Sequence, residues 1–390
     1  MRALWLVIAL VACDGSDKRG VDSGSSTMDS DADSDADSDA DSDADSDADA
    51  DTVWHPANDI GPFGVGTTES SFTGRTGEFL RVQVWYPTEE NSSMLHQYDG
   101  LLTHDALDNP QPLCDQARPV VIFSHGNQGI RWQSNFINER LATHGFVVVA
   151  PDHTGNTFYD FSEERLPEMI FRRPYDVMDS ADWLFQTAAT ELDIDGCLDE
   201  AEGYAVMGHS FGGYTATAIG GADFDFEASV AYCDAAGGWL CDEFQTWVEA
   251  NPEYATADLS DDRAWASIPL APAGFEVLGA GAAMAETPFM VLGAELDNMT
   301  PMATQVEPIF EALGSETKIM GNLLSSGHMI FSHACEWADY PECHEPYLSF
   351  DEGAPTIKAA ITAFLQMQLG NAAAEEFMPY NSDLWEWTRP

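Results

Sequence analysis

The chain has 390 residues, a formal net charge of −52 at pH 7 and 44% hydrophobic residues. Residues 1–53 hold 15 of the 67 acidic and three of the 15 basic residues, so the rest of the chain still carries a net charge of about −40. A charge of this sign and size excludes nucleic acid and anionic membrane surfaces as binding partners, because both would repel it.

The first residues have the pattern of an export signal. Met1-Arg2 is followed by an apolar run over residues 3–12. This run is shorter than the roughly 20 residues that span a bilayer, but it suits the hydrophobic region of a signal peptide. Leu10-Val-Ala-Cys13 resembles the bacterial lipobox, in which the cysteine becomes lipidated. We therefore expect residues 1–12 to be a lipoprotein signal and Cys13 to anchor an exported cell-envelope protein at the outer surface or in the periplasm. An ordinary secretory signal cut nearby is the alternative.

The segment after the signal is highly acidic. Residues 28–51 are mostly an Asp-Ala-Asp-Ser repeat without large apolar side chains. Such a segment repels itself and cannot build a core, so residues 13–53 are predicted to be a disordered tether. The repeat lacks the loop glycine and terminal glutamate of an EF-hand, which leaves only weak, nonspecific cation binding as a calcium hypothesis.

Residues 54–390 are predicted to form one α/β domain. Strand-like runs occur near residues 64–68, 79–86, 119–124, 146–151, 204–209, 265–270, 288–293 and 317–323. Helical patterns occur near residues 132–144, 175–191, 212–220, 301–313 and 355–369. An antiparallel pair followed by strand–helix alternation predicts a mostly parallel eight-stranded sheet with helices on both faces. Residues 222–263 fit no core element. They are predicted to be an insertion, and a cap over the cleft is one role for it.

The most informative motif is Gly208-His-Ser210-Phe-Gly212, which lies between a predicted strand and a predicted helix. This is the G-x-S-x-G nucleophile elbow, in which a strained turn projects the serine above the sheet. The two glycines lack the Cβ atoms that would collide in so tight a turn. Ser210 is therefore the predicted nucleophile.

A serine nucleophile needs an acid and a base, which follow it in the order Asp or Glu and then His in enzymes with this elbow. Asp297 ends a predicted strand, where ligands collect in open α/β sheets. Glu295 lies two positions earlier and is the competing acid, and Asp234 is a weaker substitute. We predict Asp297.

The base is predicted to be His328. It follows the last predicted strand in Ser325-Ser-Gly-His328, at a spacing from Asp297 that accommodates a helix and a strand. His209 is expected to pack behind the elbow, and His333 is expected to be a loop residue. Both are alternatives to His328.

Two backbone amides are expected to stabilise the oxyanion. One is that of Phe211, the residue after the nucleophile, and the other is that of Asn127, in the His-Gly-Asn loop after the strand at 119–124. Trp132 and Trp239 are candidates for an aromatic substrate wall, with plain packing the alternative for each.

Several motifs together resemble the α/β-hydrolase superfamily and, within it, the group called predicted dienelactone hydrolases. The group is similar to platelet-activating-factor-acetylhydrolase-like enzymes and cutinase-type polyester hydrolases. The motifs are Phe123-Ser-His-Gly-Asn, Val149-Ala-Pro-Asp-His-Thr-Gly-Asn-Thr157, Gly208-His-Ser-Phe-Gly-Gly-Tyr, Leu270-Ala-Pro, Gly293-Ala-Glu-Leu-Asp-Asn-Met-Thr-Pro301 and Gly327-His-Met-Ile-Phe331. The resemblance spans about residues 60–370. It implies Ser210, Asp297 and His328 as the triad and Phe211 and Asn127 as oxyanion donors.

The resemblance implies a serine hydrolase that acts on carboxylic esters through an acyl-enzyme. True dienelactone hydrolases use a cysteine nucleophile, whereas this chain has a serine, which favours ordinary ester hydrolysis. A polyester or phospholipid acyl hydrolase is the alternative among enzymes. The alternative outside the enzymes is a non-catalytic surface binding protein. No cofactor, metal or protein partner is predicted, and a lipid at Cys13 is the expected link to a membrane.

Seven cysteines with Cys13 lipidated leave six, an even number in an exported chain, where disulfides persist. Cys233 with Cys241 and Cys335 with Cys343 are candidate local pairs. Cys114 and Cys197 precede two strands that are neighbours in an α/β-hydrolase, so these two cysteines are the third candidate pair. A zinc site at Cys335, Cys343 and His344 is the weaker alternative.

Overall fold

The computed structural model describes residues 54–389 except 92–93, 195, 225, 227–228, 232–238 and 379, with the backbone alone at residues 189 and 239–242. Its centre is one mixed sheet. In chain order the strands are β1 (Gly64–Thr73), β2 (Phe79–Thr88), β3 (Leu95–Tyr98), β4 (Leu102–Asp108), β5 (Val120–Ser124), β6 (Val147–Pro151), β7 (Tyr204–His209), β8 (Ala264–Leu270), β9 (Phe289–Ala294), β10 (Lys318–Leu323) and β11 (Trp385–Thr388).

In the part of the chain that the structure describes, six α-helices of six or more residues connect or flank these strands. They are α1 (Asn135–Thr143), α2 (Leu166–Trp183), α3 (Phe211–Ile219), α4 (Trp239–Ala250), α5 (Glu307–Ala312) and α6 (Phe350–Gln368). Wider π-helical turns extend α2 at Leu184–Ala188 and precede α5 at Met302–Val306. Shorter helical turns include Ala189–Glu191, Phe275–Leu278 and Ala334–Trp337.

The sheet has the strand order β11-β10-β9-β8-β7-β5-β6-β2-β1-β4-β3. The six strands β10, β9, β8, β7, β5 and β6 run parallel, β2 is antiparallel to β6, and β11 is antiparallel to β10. Because parallel strands end at the same edge, the loops after β5, β7, β9 and β10 share one edge of the sheet. The predicted α/β-hydrolase fold class is confirmed.

The prediction of eight strands is wrong, since the described part of the chain has eleven. The three strands that were missed are β3, β4 and β11. β3 and β11 have four residues each, and β4 reads Leu-Thr-His-Asp-Ala-Leu-Asp with an irregular burial pattern. Short or polar strands at the ends of a sheet lack the period-two apolar signal by which strands are recognised.

Side chains that alternate along the central strands pack into two separate hydrophobic layers, one on each face of the sheet. On β5, Val121 and Phe123 pack with α1 and α6, whereas Val120 and Ile122 pack with α2 and α3. All four are fully buried. Helices therefore cover both faces of the sheet, as predicted, and a strand buried on both faces reads as a continuous apolar run.

Helix α2 begins nine residues earlier than predicted and contains Pro174. A proline inside a helix has no N–H and leaves a carbonyl one turn back without its partner. In α2 this carbonyl belongs to Ile170, and it accepts a 3.0 Å hydrogen bond from the hydroxyl of Tyr214 on α3. The bond joins the helix that follows the elbow to α2.

The described parts of residues 222–263 contribute buried side chains to a hydrophobic cluster shared with α2, α3 and β9. Phe224, Phe244, Val248 and Leu259 are buried. The rings of Phe224 and Phe244 lie 5.0 and 5.7 Å from Phe171 of α2. The aromatic side chains of the insertion therefore pack against α2.

Two of the three predicted disulfides are present. Cys114 bonds to Cys197 and Cys335 bonds to Cys343. The first joins the segments that precede the neighbouring strands β5 and β7. Cys13 and the pair of Cys233 with Cys241 lie outside the described residues and side chains. Within the described residues, no helix combines the length and the apolar character needed to span a membrane.

Candidate active site

Ser210 lies in the turn between β7 and α3, with φ +59° and ψ −116°. A positive φ is uncommon for a residue with a side chain and persists only where the surroundings enforce it. A Cβ on Gly208 would lie 2.2 Å from the Gly212 carbonyl oxygen, and one on Gly212 would lie 1.9 Å from the Ser124 oxygen. Because no side chain fits at either position, the elbow needs both glycines.

The ends of neighbouring strands hold the turn in place. The N–H of Ser210 donates to the Leu270 carbonyl of β8 at 2.8 Å, and the Ser210 carbonyl accepts from the N–H of Ala273 at 3.1 Å. A Cβ on Gly126, in the loop after β5, would lie 3.3 Å from the Ser210 Cβ. The backbone of this loop therefore comes close to the serine.

Asp297 and His328 form a buried pair. The Nδ1–H of His328 donates to Asp297 Oδ2 at 2.6 Å, and both side chains are almost fully buried. Burial alone would raise the pKa of Asp297, but the attraction of His328 and the hydrogen bonds from His328 and Thr300 outweigh it and lower this pKa to about 2. With Nδ1 donating to the carboxylate, Nε2 is the nitrogen left to accept a proton.

Thr300 fixes the carboxylate and was not singled out from the sequence. Asp297 Oδ1 accepts from the N–H groups of Met299 at 2.7 Å and Thr300 at 2.8 Å. The Thr300 hydroxyl lies 2.7 Å from Asp297 Oδ2 and 3.0 Å from the carbonyl oxygen of Ala271, just after β8. The end of β8 thus positions both the acid loop and, through Leu270, the serine. The Asp-x-x-Thr spacing is the sequence signal for such a turn.

The described acid and base that competed with Asp297 and His328 in the sequence make other contacts. Glu295 is exposed and accepts a hydrogen bond from the N–H of Ser325, and Asp234 lies outside the described residues. His333 is a buried loop residue that packs against Phe136 and Phe350.

His209 packs behind the elbow, as expected. Its Nε2–H donates to the His328 carbonyl at 3.0 Å, and its ring centroid lies 4.5 Å from that of His328. Its Nδ1 accepts from Gln133 Nε2 at 2.9 Å, and Gln133 Oε1 accepts from the Gly126 N–H at 3.1 Å. Burial lowers the pKa of His209 to about 3, so this ring is a neutral connector.

Within the described residues, the two expected oxyanion donors have no protein acceptor. Among hydrogen bonds of the described residues, none is donated by the backbone N–H of Phe211 or of Asn127. Phe211 opens α3, so its N–H has no acceptor inside the helix. The Asn127 side chain is held by Asn156, whose Nδ2 donates to Asn127 Oδ1 at 2.8 Å.

The aromatic wall prediction is wrong for Trp132. This residue is 1% exposed, and its Nε1–H donates to Asp99 at 2.9 Å. A side chain so enclosed contributes to the core rather than to a substrate surface. The side chain of Trp239 lies outside the described part of the chain.

A second Ser–His–Asp series lies beneath the loop after β5. Ser124 Oγ and His153 Nε2 are 2.9 Å apart, and His153 Nδ1 and Asp176 Oδ2 are 2.9 Å apart. All three side chains are fully buried, and burial lowers the pKa of His153 well below its ordinary value. Because substrate has no access to a fully buried group, we assign this series a structural role.

His104, Asp105 and Glu139 are the described side chains that come nearest to a metal-binding group, with ligand atoms within 4.8 Å of one another. His104 Nδ1 donates to Glu139, and the Asp105 N–H donates to the same carboxylate oxygen. These hydrogen bonds explain why the three side chains lie close together, so we assign no metal ion to the group.

The arrangement therefore has the parts of a nucleophilic acyl-transfer site. A serine lies on a strained turn next to His209, whose ring contacts that of His328, and the His328 imidazole is oriented by a buried carboxylate. Within the described residues no hydrogen bond joins the Ser210 hydroxyl to His328. The motifs of the loops after β5, β7, β9 and β10 all converge at the edge that the sheet topology predicts.

Comparisons with known proteins agree with this geometry. A sequence model described as the alpha/beta hydrolase family matches residues 121–372. Cutinase est1 of Thermobifida alba is 23% identical over 257 residues, which cover 66% of this chain and 60% of the cutinase. Platelet-activating factor acetylhydrolase of Cavia porcellus is 25% identical over 234 residues, which cover 44% of this chain and 53% of that protein. The chain thus matches only about half to three fifths of the length of these relatives.

The buried acid leads to a prediction about stability and pH. A carboxyl whose pKa falls from 3.8 to about 2 on folding stabilises the protein above pH 4, and this contribution disappears as the pH falls toward 2. Asp297→Asn should therefore lower the free energy of unfolding by about 2 kcal/mol above pH 5, with the gap to wild type closing toward pH 2. Urea unfolding across this range measures the gap, and Asp262→Asn controls for the loss of one exposed carboxylate. A gap that does not change with pH would contradict the assignment.

Proposed function

Because this chain belongs to the alpha/beta hydrolase family, we propose that it is a serine hydrolase that cleaves carboxylic esters through a covalent acyl-enzyme. The observation that carries the proposal is the buried Asp297–His328 hydrogen bond, together with a serine on a strained turn whose neighbour His209 contacts the His328 ring. The names of its relatives, a cutinase and an acetylhydrolase, support ester chemistry.

In the proposed reaction, Ser210 Oγ attacks the ester carbonyl carbon while His328 Nε2 takes the hydroxyl proton. The oxyanion that forms accepts hydrogen bonds from the N–H groups of Phe211 and Asn127, and Asp297 stabilises the imidazolium. His328 then protonates the departing alcohol, which leaves the acyl group on Ser210. Water, deprotonated by the same imidazole, attacks the acyl carbon. The bond to Ser210 Oγ then breaks, His328 returns the proton to Oγ, and the carboxylic acid is released.

Replacing the proposed nucleophile should abolish turnover. We expect Ser210→Ala to lower kcat on a p-nitrophenyl ester by at least about 1000-fold, because no other group can form the acyl-enzyme. The measurement is steady-state release of nitrophenol, with Ser71→Ala, an exposed serine of β1, as the matched control.

A fluorophosphonate probe tests the same residue without a choice of substrate. Wild type should be labelled on Ser210 and Ser210→Ala should not be. A wild-type protein that neither reacts with the probe nor hydrolyses esters would favour the non-catalytic binding protein instead.

Exposed apolar side chains beside the site favour esters with an apolar acyl group. Because polyesters and phospholipids carry apolar acyl groups, they are the second candidate substrates. Phe158 is 54% and Met299 is 59% exposed. Phe158 follows the segment that holds Asn127, and its N–H donates to the Gly129 carbonyl at 2.9 Å. Met299 lies on the loop that carries Asp297.

The length of the acyl chain should therefore matter at Phe158. We expect Phe158→Ala to lower kcat/KM about fivefold on decanoate esters, since about 1 kcal/mol of apolar contact is lost, and to leave acetate esters within twofold. Ile60→Ala, at an apolar residue that is 77% exposed, is the control. An equal effect on both esters would refute an acyl contact, and release of acid from a polyester film or from phospholipid vesicles separates the two alternative substrates.

We also propose that the protein is exported and anchored by lipid at Cys13, with residues 13–53 as the acidic tether. The two disulfides support export, because such bonds persist in oxidising compartments. The lipobox-like sequence before Cys13 supports the anchor.

The anchor can be tested in a bacterium that processes lipoproteins. Wild type should incorporate labelled palmitate and sediment with membranes, whereas Cys13→Ser should lose both properties and keep its esterase activity, because the change lies outside the catalytic domain. An unlabelled wild-type protein in the culture medium would instead indicate an ordinary secretory signal.

A further inference from the structure

Arg173 lies directly behind the two proposed oxyanion donors. It belongs to α2, and its side chain is fully buried. Nη1 donates to Asn156 Oδ1 at 2.5 Å, Nη2 donates to Ser124 Oγ at 3.2 Å and to the His125 carbonyl, and Nε donates to Thr215 Oγ1 at 3.3 Å. The guanidinium therefore uses all three of its nitrogens on the elbow helix and on the loops after β5 and β6.

Arg173 is connected to Asn127 and to Phe211, the two proposed oxyanion donors, through different contacts. On one side Asn156, held by Arg173, donates to the Asn127 side chain at 2.8 Å. On the other side the guanidinium carbon lies 4.6 Å from the centre of the Phe211 ring, the geometry of a cation–π contact. One side chain thus joins the residues whose N–H groups are to face the oxyanion.

From this arrangement we propose that Arg173, through Asn156, is the positioning residue that sets the separation and direction of the Phe211 and Asn127 N–H groups. The proposal rests on the proposed function, since it assigns the two amides their oxyanion role. Arg173 itself does not touch substrate, because it is fully buried beneath the loops it holds.

The energetics of the site agree with a positioning role. Within the described residues, no carboxylate oxygen lies within 4.0 Å of the Arg173 nitrogens, and burial lowers the pKa of this group to about 9. The planar fork of arginine matches several acceptors at fixed angles, whereas the ammonium of lysine is a point charge that cannot. Oxyanion catalysis depends on donors fixed in advance, and a displacement of about 1 Å costs roughly 100-fold in rate.

The test compares Arg173→Lys and Asn156→Ala with wild type on a soluble p-nitrophenyl ester, well below their unfolding temperatures. Both acylation and deacylation pass through an oxyanion, so kcat and kcat/KM should fall together, by about 10- to 100-fold, with KM within about threefold. Inhibition by phenylboronic acid, whose adduct with the serine places an oxygen at the oxyanion position, should weaken by the same factor.

Arg118→Lys is the matched control. Arg118 is also buried, and its guanidinium lies 4.6 Å from the centre of the Phe63 ring, but its hydrogen bonds go to Leu113 and Asp115 in the segment before β5. This variant should lose stability and keep its kcat. If Arg173→Lys does not fold, Asn156→Ala provides the test. It removes the hydrogen bonds that connect Arg173 to Asn127 and leaves the arginine in place.

Wild-type kcat in both folded variants, or an equal loss of kcat in Arg118→Lys, would overturn the proposal and leave the esterase function standing. Hydrolysis that survives Ser210→Ala would overturn the proposed function, and this proposal with it.

Discussion

The turn at Ser210 depends on a contact between backbones. Gly212 lies against the carbonyl of Ser124, at the end of the neighbouring strand β5, with no room for a Cβ. A strained residue of this kind costs on the order of 1–3 kcal/mol and persists only when its surroundings over-determine it. Here the Ser210 carbonyl accepts from Gly213, Tyr214 and Ala273. The pairing of β5 with β7 therefore fixes both the serine and the loop after β5.

The remaining parts of the site follow from this pairing, because parallel strands deliver their loops to one edge. The end of β8 illustrates the coupling: the carbonyl of Leu270 holds the N–H of Ser210, and the carbonyl of Ala271, one residue later, lies beside the hydroxyl of Thr300. Thr300 in turn orients Asp297. A shift of one strand end would therefore displace serine and acid together, which makes a rigid sheet a better support than mobile loops.

The sequence predicts those parts of the site whose signals are local. The glycines around Ser210 and the strand ends before Asp297 and His328 each identify a position without knowledge of its neighbours. Arg173 carries no such signal, since its role arises from residues distant in the chain, and Pro174 next to it argues against a helix there. The packing of residues 222–263 carries no local signal for a similar reason, since Phe224 and Phe244 contact Phe171 on α2.

The distribution of charge restricts the substrates that fit such a site. Among the described residues, five arginines are buried, at positions 118, 131, 140, 172 and 173, and five carboxylates are buried, at positions 139, 152, 176, 179 and 297. These buried groups are equal in number, and burial raises the pKa of Asp176 to about 7, so the buried side chains add no net negative charge. The acidic excess of the described residues therefore lies on side chains that water reaches. At physiological ionic strength a field of this kind reaches about 8 Å into solution. Arg173 is fully buried and is not available to attract an anion from solution. On the proposed function we therefore expect neutral or zwitterionic esters to be preferred to anionic ones.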